Sequence, residues 1–534
     1  MWLSVRVALA LLIVASLPVP ALAQRQGMEP TPPRGDQGEG PFERLIIRGA
    51  TVIDGTGAPP QGPVDIVIEN NRIASLRSVG YPGVPIDEES RPGEATREID
   101  ASGMYVLPGL IDVHVHTGGV PKAPQPDYTY KLWLGHGITT VRGVGFGEFD
   151  WQLEEKAKSA RNEIVAPHMV AYARPGSGGG WNGGPIDTPE RAREWVRWAR
   201  DQGVDGLKLG SSPPPIMEAL IDEAHRQDMG TVAHLGQMGV AHMNALDAAR
   251  LGLDDVTHFY GLFESMLEGR SLQDFPVDYN YNDEQHRFGQ VARLWDQVHP
   301  PGSEVWNETI EEFLELGTIF SPTMTIYSAG RDVMRARNAD WHDEYTLPTQ
   351  WDFYQPSREA HGSYWFDWTT TDEVAWRNFY HRWMQWLDDY NDAGGRIATG
   401  SDAGFIYQLY GFGLILELEL LQEAGLHPLE VVRAATLYGA ESLQQPREGP
   451  VDYGVLRPGA RADLIVVDGN PLQNFKILYG TGHLRLDDQG RPYWHRGLKY
   501  TIKDGIIYDS QQLLADVREM VRAAKAATTA TTGN

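Results

Sequence analysis

Two periodicities alternate along this chain. Short stretches with β-branched and aliphatic residues in strand-like spacing occur near both ends, at 45–47, 65–68 and 72–76, and again at 462–467, 499–502 and 505–508. Gly, Pro and Asn separate them as turn residues. Two distant β segments flanking a long middle region predict one small domain assembled from both ends, a composite β-sandwich of residues 43–105 and 449–512.

Between them strand and helix patterns take turns. A strand at 168–174 is followed by Thr188-Pro189, an N-cap with Pro at the first helical position. Ala192, Trp195, Val196 and Ala199 then recur at helical spacing. Strands at 206–210, 231–235 and 255–259 alternate with helices at 216–227 and 240–251. Repeated strand–helix units require a parallel sheet, and this many predict an α/β fold closed into a (β/α)8 TIM barrel over residues 106–448. The regularity fails at 260–392, where Trp341, Trp351, Trp365, Trp368, Trp376, Trp383 and Trp386 crowd together and 317–325 is the best strand candidate. Barrel function sits on the loops after the strands, so this insertion reads as enlarged loops or a lid. Most of its aromatic residues read as a packing layer between extra helices. Residues 513–534 read as a C-terminal helix and tail.

Composition narrows the function. The 534 residues are 41% hydrophobic and 22% charged, as in a globular protein, and the net charge of -26 argues against nucleic acid, whose phosphates it would repel. The first residues read as an export signal: Arg6 ends a short n-region, residues 7–19 are apolar but for Ser16 and Pro18, and Ala21-Leu22-Ala23 precedes Gln24. The apolar run falls short of a span of about 20 residues. Residues 1–23 are therefore expected to be cleaved, leaving a periplasmic or secreted chain without a membrane segment. Residues 24–42, rich in Pro, Gly and Gln, read as a disordered leader. There is no cysteine. Disulfides, lipid-modified cysteine and thiolate ligands are thereby excluded, so a metal would be held by His, Asp, Glu or a modified Lys.

Candidate chemistry gathers at strand ends. In Leu110-Ile111-Asp112-Val113-His114-Val115-His116 the two imidazoles point to one side of a strand. With 16 His in the chain, roughly half a His-x-His is expected by chance, so context must decide. Lys208 lies between Leu207 and Leu209 on an apolar strand. With those two outward it faces the barrel lumen, where burial lowers an ammonium pKa and a neutral amine near metal ions can add carbon dioxide to become a carbamate. The competing reading is a lysine that reaches solvent at the strand end. His234 and His258 fall near the ends of the next two strands. One such His is more often a satisfied core residue; two in succession after Lys208 are harder to dismiss. Ile397-Ala398-Thr399-Gly400-Ser401-Asp402 runs an apolar strand into a turn that carries one carboxylate. Catalytic groups on the ends of different strands are the barrel arrangement.

On these residues the sequence resembles the amidohydrolase superfamily, in the branch of imidazolonepropionase-like enzymes and metal-dependent Xaa-Pro and Xaa-Arg dipeptidases. The resemblance extends to the opening segment Ile47-Arg48-Gly49-Ala50-Thr51-Val52-Ile53-Asp54-Gly55-Thr56-Gly57, to Gly135-His136-Gly137-Ile138-Thr139-Thr140-Val141-Arg142, and to the closing motifs Ala434-Ala435-Thr436 and Gly459-Ala460-Arg461-Ala462-Asp463-Leu464-Ile465-Val466. It covers the insertion poorly. It implies that His114, His116 and Asp402 hold one metal and His234 and His258 a second, with Lys208 as carbamate bridging them. Two departures stand out: Thr257-His258-Phe259-Tyr260 where relatives commonly have Glu-His-Gly, and Gly143 where an Asp often follows the Arg.

The expected cofactor is a pair of divalent ions, zinc suiting the donors best. Asp402 is expected to act as general base and acid, and Tyr260 is a candidate for polarising the scissile carbonyl. The loop 175–184, rich in glycine, lacks a phosphate-binding pattern and reads as a flexible loop. The expected reaction is hydrolysis of an amide-type C–N bond, linear or cyclic, in a small substrate. A dipeptidase of the Xaa-Pro or Xaa-Arg type is the alternative within this chemistry, ester or lactone cleavage is open on the same site, and a non-catalytic binding barrel is the alternative outside it. A homo-oligomer is compatible with all of these.

Overall fold

The computed structural model describes residues 28–117, 119–358 and 365–532, so the expected signal at 1–23 lies outside the described residues. Eight short, largely buried strands pair in parallel and in consecutive order: β1 (Leu110–Val115), β2 (Ile138–Gly143), β3 (His168–Ala173), β4 (Gly206–Leu209), β5 (Gly230–Ala233), β6 (Asp255–Thr257), β7 (Ile319–Ser321) and β8 (Arg396–Ile397). Burial on both faces is the condition of a parallel sheet covered by helices. The ring closes just beyond β8, where Val113 N–H donates to the Thr399 carbonyl and Asp402 N–H to the His114 carbonyl, each at 2.9 Å. The expected barrel is present.

Its strands are shorter than the apolar runs. The last residues of two of these runs, His234 and His258, leave the ladder to line the mouth of the barrel. The helix at Pro189–Gln202 starts as expected, with the Thr188 hydroxyl accepting from Arg191 N–H, and buries Ala192, Trp195, Val196 and Ala199. The helix anticipated at 240–251 begins only at Ala245, because Asn244 and Asp247 close a capping box there.

The composite β-domain joins both ends of the chain in one eight-stranded sheet. Arg44–Val52, Gln61–Glu69, Arg72–Ser78, Arg97–Asp100 and Tyr105–Pro108 come from the N-terminal side; Leu464–Val467, Leu498–Lys503 and Ile506–Asp509 come from the C-terminal side. The seam is antiparallel, with Leu464 opposite Pro108 and Val466 opposite Val106. Its core includes Leu45, Ile47, Ile66, Val106, Leu464 and Ile502. Only Gly109 separates Tyr105–Pro108 from β1, so this domain fixes the strand that carries His114.

Residues 28–42 depart from the expected disordered leader. Thr31 donates to the Glu155 carboxylate at 2.5 Å, and Glu39 exchanges backbone bonds with Ile507 at 2.8 and 2.9 Å. Composition had no way to register these partners, a buried carboxylate and an uncovered sheet edge. The insertion is mostly helical, with Glu284–Val291, Glu304–Glu315, Met324–Arg337 and Thr370–Asp392 among its helices and β7 inside it. Trp376, Trp383 and Trp386 of the last helix are fully buried, meeting Phe259 and Phe320 edge-on at 5.2 Å (Phe259–Trp383) and 4.7 Å (Phe320–Trp386). These residues are a packing layer behind β6 and β7.

Candidate metal centre

Six predicted residues come together at the C-terminal mouth of the barrel. His114 is the penultimate residue of β1 and His116 lies one residue beyond the strand; Lys208 is in β4; His234 lies one residue past β5 and His258 one past β6; Asp402 lies five past β8. Backbone bonds continue the sheet just far enough to fix them: His234 N–H donates to Leu209, His258 N–H to Ser321, and Asp402 N–H to His114. Donor atoms of His114, His258 and Asp402 lie within 4.8 Å of one another. Asp402 is the hub, with carboxylate oxygens 3.2 Å from His116 Nε2, 3.8 Å from His114 Nε2 and 3.9 Å from His258 Nε2. The His234 ring meets that of His258 edge-on at 4.5 Å, and Lys208 Nζ is 3.4 Å from His114 Nε2.

The partners of the other ring nitrogen settle which one faces the centre. Thr257 gives its only hydroxyl proton to the Ser321 carbonyl (3.1 Å), so at 2.8 Å it must accept from His114 Nδ1–H. Thr323 gives its proton to the Pro322 carbonyl (2.6 Å) and therefore accepts from His258 Nδ1–H at 2.5 Å. His116 Nδ1 faces the Gly145 carbonyl at 3.3 Å, which can only accept. All three rings thus turn Nε2 inward, the arrangement that orients metal-binding imidazoles. His258 Nε2 is buried with no hydrogen-bond partner among the described residues, an orphaned lone pair that a cation would satisfy. Burial, with Lys208 nearby, holds His114 and His258 well below the usual imidazole pKa and therefore neutral. The donor set fits divalent metal.

Holding these groups strains the backbone. His258, Thr323 and Asp402 adopt φ of 67, 53 and 49°, a region that non-glycine residues, above all a β-branched one, rarely enter. Thr323 is kept there by the helix that follows it, whose first amides, Met324 and Thr325, donate to the buried Glu417 carboxylate at 3.0 and 2.7 Å. Asp112 organises the β8 turn from below, accepting from Ser401 Oγ at 2.6 Å and Ser401 N–H at 2.9 Å. Gly400 is demanded by close approach, since a Cβ there would lie 2.8 Å from His114 Cβ. Gly143 has a similar reason: a Cβ would lie 2.5 Å from that of Phe146, so the Asp often found after the Arg has no room here. Arg142 itself is buried in the barrel, donating to Val113 O at 2.6 Å and pairing with Asp255 at 2.5 Å.

Lys208 faces the lumen and not solvent. It is 1% exposed, and burial drives its ammonium well below the usual lysine range, with Asp402 opposing and Arg174 and Arg142 adding to the effect. Tyr260 stacks on His234 at 4.8 Å and accepts from the Tyr327 hydroxyl at 3.1 Å, which leaves its own proton free to donate. Burial raises it above the usual tyrosine range, so it remains a donor. Two indoles donate to carbonyls of the glycine-rich loop: Ser177 O accepts from Trp195 Nε1 at 3.0 Å and Gly184 O, within the loop, from Trp181 Nε1 at 2.8 Å.

The centre opens into a cavity of about 370 Å³ that Arg174, Gln237, Tyr281, Arg287, Phe288, Ile326 and Tyr327 also line. Sequence reasoning singled out none of these. Arg174, at the end of a predicted strand, had the same positional signal as the ligands. Tyr281, Arg287 and Phe288 lie in the insertion, where no periodicity placed them.

Comparison with known proteins bears on the family and the fold. Residues 382–487 match the Amidohydrolase family. An N-acyl-D-aspartate deacylase of Alcaligenes xylosoxydans xylosoxydans is 39% identical over 99 residues, 18% of this chain and 16% of that protein; the chain thus aligns with only a small part of that curated relative. Among solved structures, a Xaa-Pro dipeptidase with methionine bound in its active site shares the fold at TM-score 0.56 and 19% identity, over 87% of this chain and 100% of that one. A bottromycin amidohydrolase does so at TM-score 0.60 and 18% identity, over 90% and 91%.

Proposed function

We propose that this chain, of the amidohydrolase superfamily by its matching segment and its fold, is a metal-dependent hydrolase of an amide-type C–N bond in a small substrate. The observation that carries the reading is the set of imidazoles whose Nδ1 atoms are committed to Thr257, Thr323 and Gly145 and whose Nε2 atoms turn towards Asp402. A binding barrel has no use for three imidazoles oriented in this way around one carboxylate.

His114, His116 and Asp402 would hold one divalent ion and His234 and His258 a second, zinc being the ion that suits N and O donors. When bound, such ions would act as Lewis acids and lower the pKa of water to about 7. Lys208 is read as a carbamate between the two: its neutral amine adds carbon dioxide, forming an N–C bond and releasing one proton. Asp402 takes the proton of the attacking water and returns it to the leaving nitrogen. Tyr260 donates its free hydroxyl proton to the carbonyl oxygen as negative charge builds there. The mature chain is read as periplasmic or secreted, on the strength of residues 1–23.

The test is turnover. Zinc-loaded protein is offered N-acyl amino acids, dipeptides and cyclic amides, with release of amine as the readout. Hydrolysis of at least one class that a chelator abolishes and zinc restores is expected. Metal-replete, folded protein inert towards all three classes would refute the proposal.

A further inference from the structure

Exposed apolar side chains are unevenly placed on this molecule. Among the described residues thirteen large hydrophobic side chains are exposed, and four of them, Leu484, Leu486, Tyr493 and Trp494, belong to one hairpin, His483–Leu486 paired antiparallel with Pro492–His495. This hairpin is a two-stranded sheet of its own, joined to neither of the large sheets. Two strands alone are marginally stable in water. Leu484 stands opposite Trp494 and Leu486 opposite Pro492, and directly opposed residues share a face. That face is therefore wholly apolar, with Leu484 59%, Leu486 67% and Trp494 54% exposed. Apolar patches rimmed by polar residues mark sites of association.

Beside the hairpin lies a groove of about 430 Å³ that shares no lining residue with the metal cavity. Leu484 and Trp494 form one wall of it, and Ala336, Trp341, Leu416, Leu420 and Tyr479 supply the rest of its apolar lining. Trp341 Nε1 is buried with no hydrogen-bond partner among the described residues, and an acceptor brought in from outside would satisfy it. Asp488 in the hairpin turn and Arg335 in the groove wall carry opposite charges, and neither forms an ion pair among the described residues. An apolar ridge beside an apolar groove is self-complementary, which a two-fold contact requires because each copy must supply both halves. We propose that the occupant of this groove is a second copy of the chain. The hairpin of each copy seats in the groove of the other, the two apolar hairpin faces meet, and Asp488 of one copy faces Arg335 of the other. An anionic lipid surface is disfavoured as the occupant by the net charge of -26.

The experiment is sedimentation equilibrium of the purified chain. Wild type is expected to sediment at twice the mass of one chain at micromolar concentration. Leu486→Asp, at a side chain already exposed in the single copy, should weaken association about 100-fold or more, with zinc content and circular dichroism unchanged. Val277→Asp, at a fully exposed residue outside the hairpin, should leave association as it is. Arg335→Asp should also weaken association, and adding Asp488→Arg to the same chain should restore it in part, which a defect within one copy would not allow. A loss that the reversed pair does not repair overturns the groove as the seat. A wild type that stays monomeric at about 100 μM, above the micromolar limit expected of an interface of standard size, overturns the proposal. A dimer that survives Leu486→Asp does so too, since its contact lies elsewhere. So does a monomer that binds phosphatidylcholine–phosphatidylglycerol vesicles and loses them on Leu486→Asp, since the hairpin is then a membrane contact.

Discussion

The two ends of the barrel carry clusters of the same residue types, yet they are built in opposite ways. At the C-terminal mouth His114, His258 and Asp402 bring donor atoms within 4.8 Å; at the opposite end, where β3 begins, His168, Asp463 and Asp504 do the same. The lower cluster is saturated. Arg461 Nε sits 2.6 Å from Asp463, His168 Nε2 is 3.3 Å from it, the Asp504 amide donates to it at 2.9 Å, and Asn162 donates to Asp504 at 3.1 Å. Burial alone would raise the Asp463 carboxyl, but Arg461, His168 and the Asp504 amide overcome it and hold it below the usual carboxylate range. In the upper cluster no Lys or Arg pairs with Asp402 among the described residues, and the imidazoles spend their protons outward. A cluster's composition does not tell a metal site from an ion-pair network; whether its lone pairs are already used does. The difference follows barrel anatomy, in which chemistry gathers at the C-terminal face and stability at the other.

Substitutions at the two ends should therefore separate activity from stability. The largest effect is expected from Asp402→Ala: a loss of about 10²- to 10⁴-fold in kcat, the scale of a lost general base, with the chain still folded and the thermal midpoint lowered only slightly, because Ala tolerates the left-handed backbone there (φ 49°) less well than Asp. An unfolded variant would break the contrast. Next is Arg461→Met, which leaves Asp463 buried beside a lost cation. It should cost about 3–5 kcal/mol in denaturant unfolding, with metal content per folded chain unaltered.

A smaller effect should follow Thr257→Val, which keeps the shape but removes the acceptor of His114 Nδ1–H. Metal affinity, measured by competition with a chromophoric chelator, should drop about 10- to 100-fold. The smallest should be a pH dependence. Because the folded Asp463 pKa is depressed, its contribution is complete above the ordinary carboxylate value of about 3.9 and is lost as pH falls below that. The stability difference between wild type and Asp463→Asn should thus be constant near pH 8, clear of the titration of the neighbouring His168, and shrink below about pH 4. A difference independent of pH would mean that Asp463 acts through packing alone.

The sequence made the upper cluster legible for a simple reason. His114, Lys208, His234, His258 and Asp402 each interrupt or end an apolar run, and a barrel strand delivers such a residue to its mouth. The residues that orient them left no such mark. Thr257 is one more β-branched residue on a strand, and Thr323 becomes an acceptor only because the Glu417 carboxylate anchors the helix that starts beside it. The lower cluster joins His168 to residues nearly 300 positions away, so its saturation is a tertiary fact. The leader misled for a related reason, since residues 28–42 look unable to fold alone but gain a sheet edge and Glu155 as partners. Arg287 and Gln237, which line the cavity, were unreadable because one lies in an aperiodic insertion and the other in the loop after β5.

The most direct test of the account is the number of divalent ions that folded, metal-free protein takes up in a zinc titration, for wild type and for Lys208→Met. About two tightly bound equivalents for wild type, falling to one or fewer when the lysine is replaced, is the predicted result. A folded wild-type chain that binds no zinc, or binds it equally well after His114 and His258 are both replaced, would contradict it.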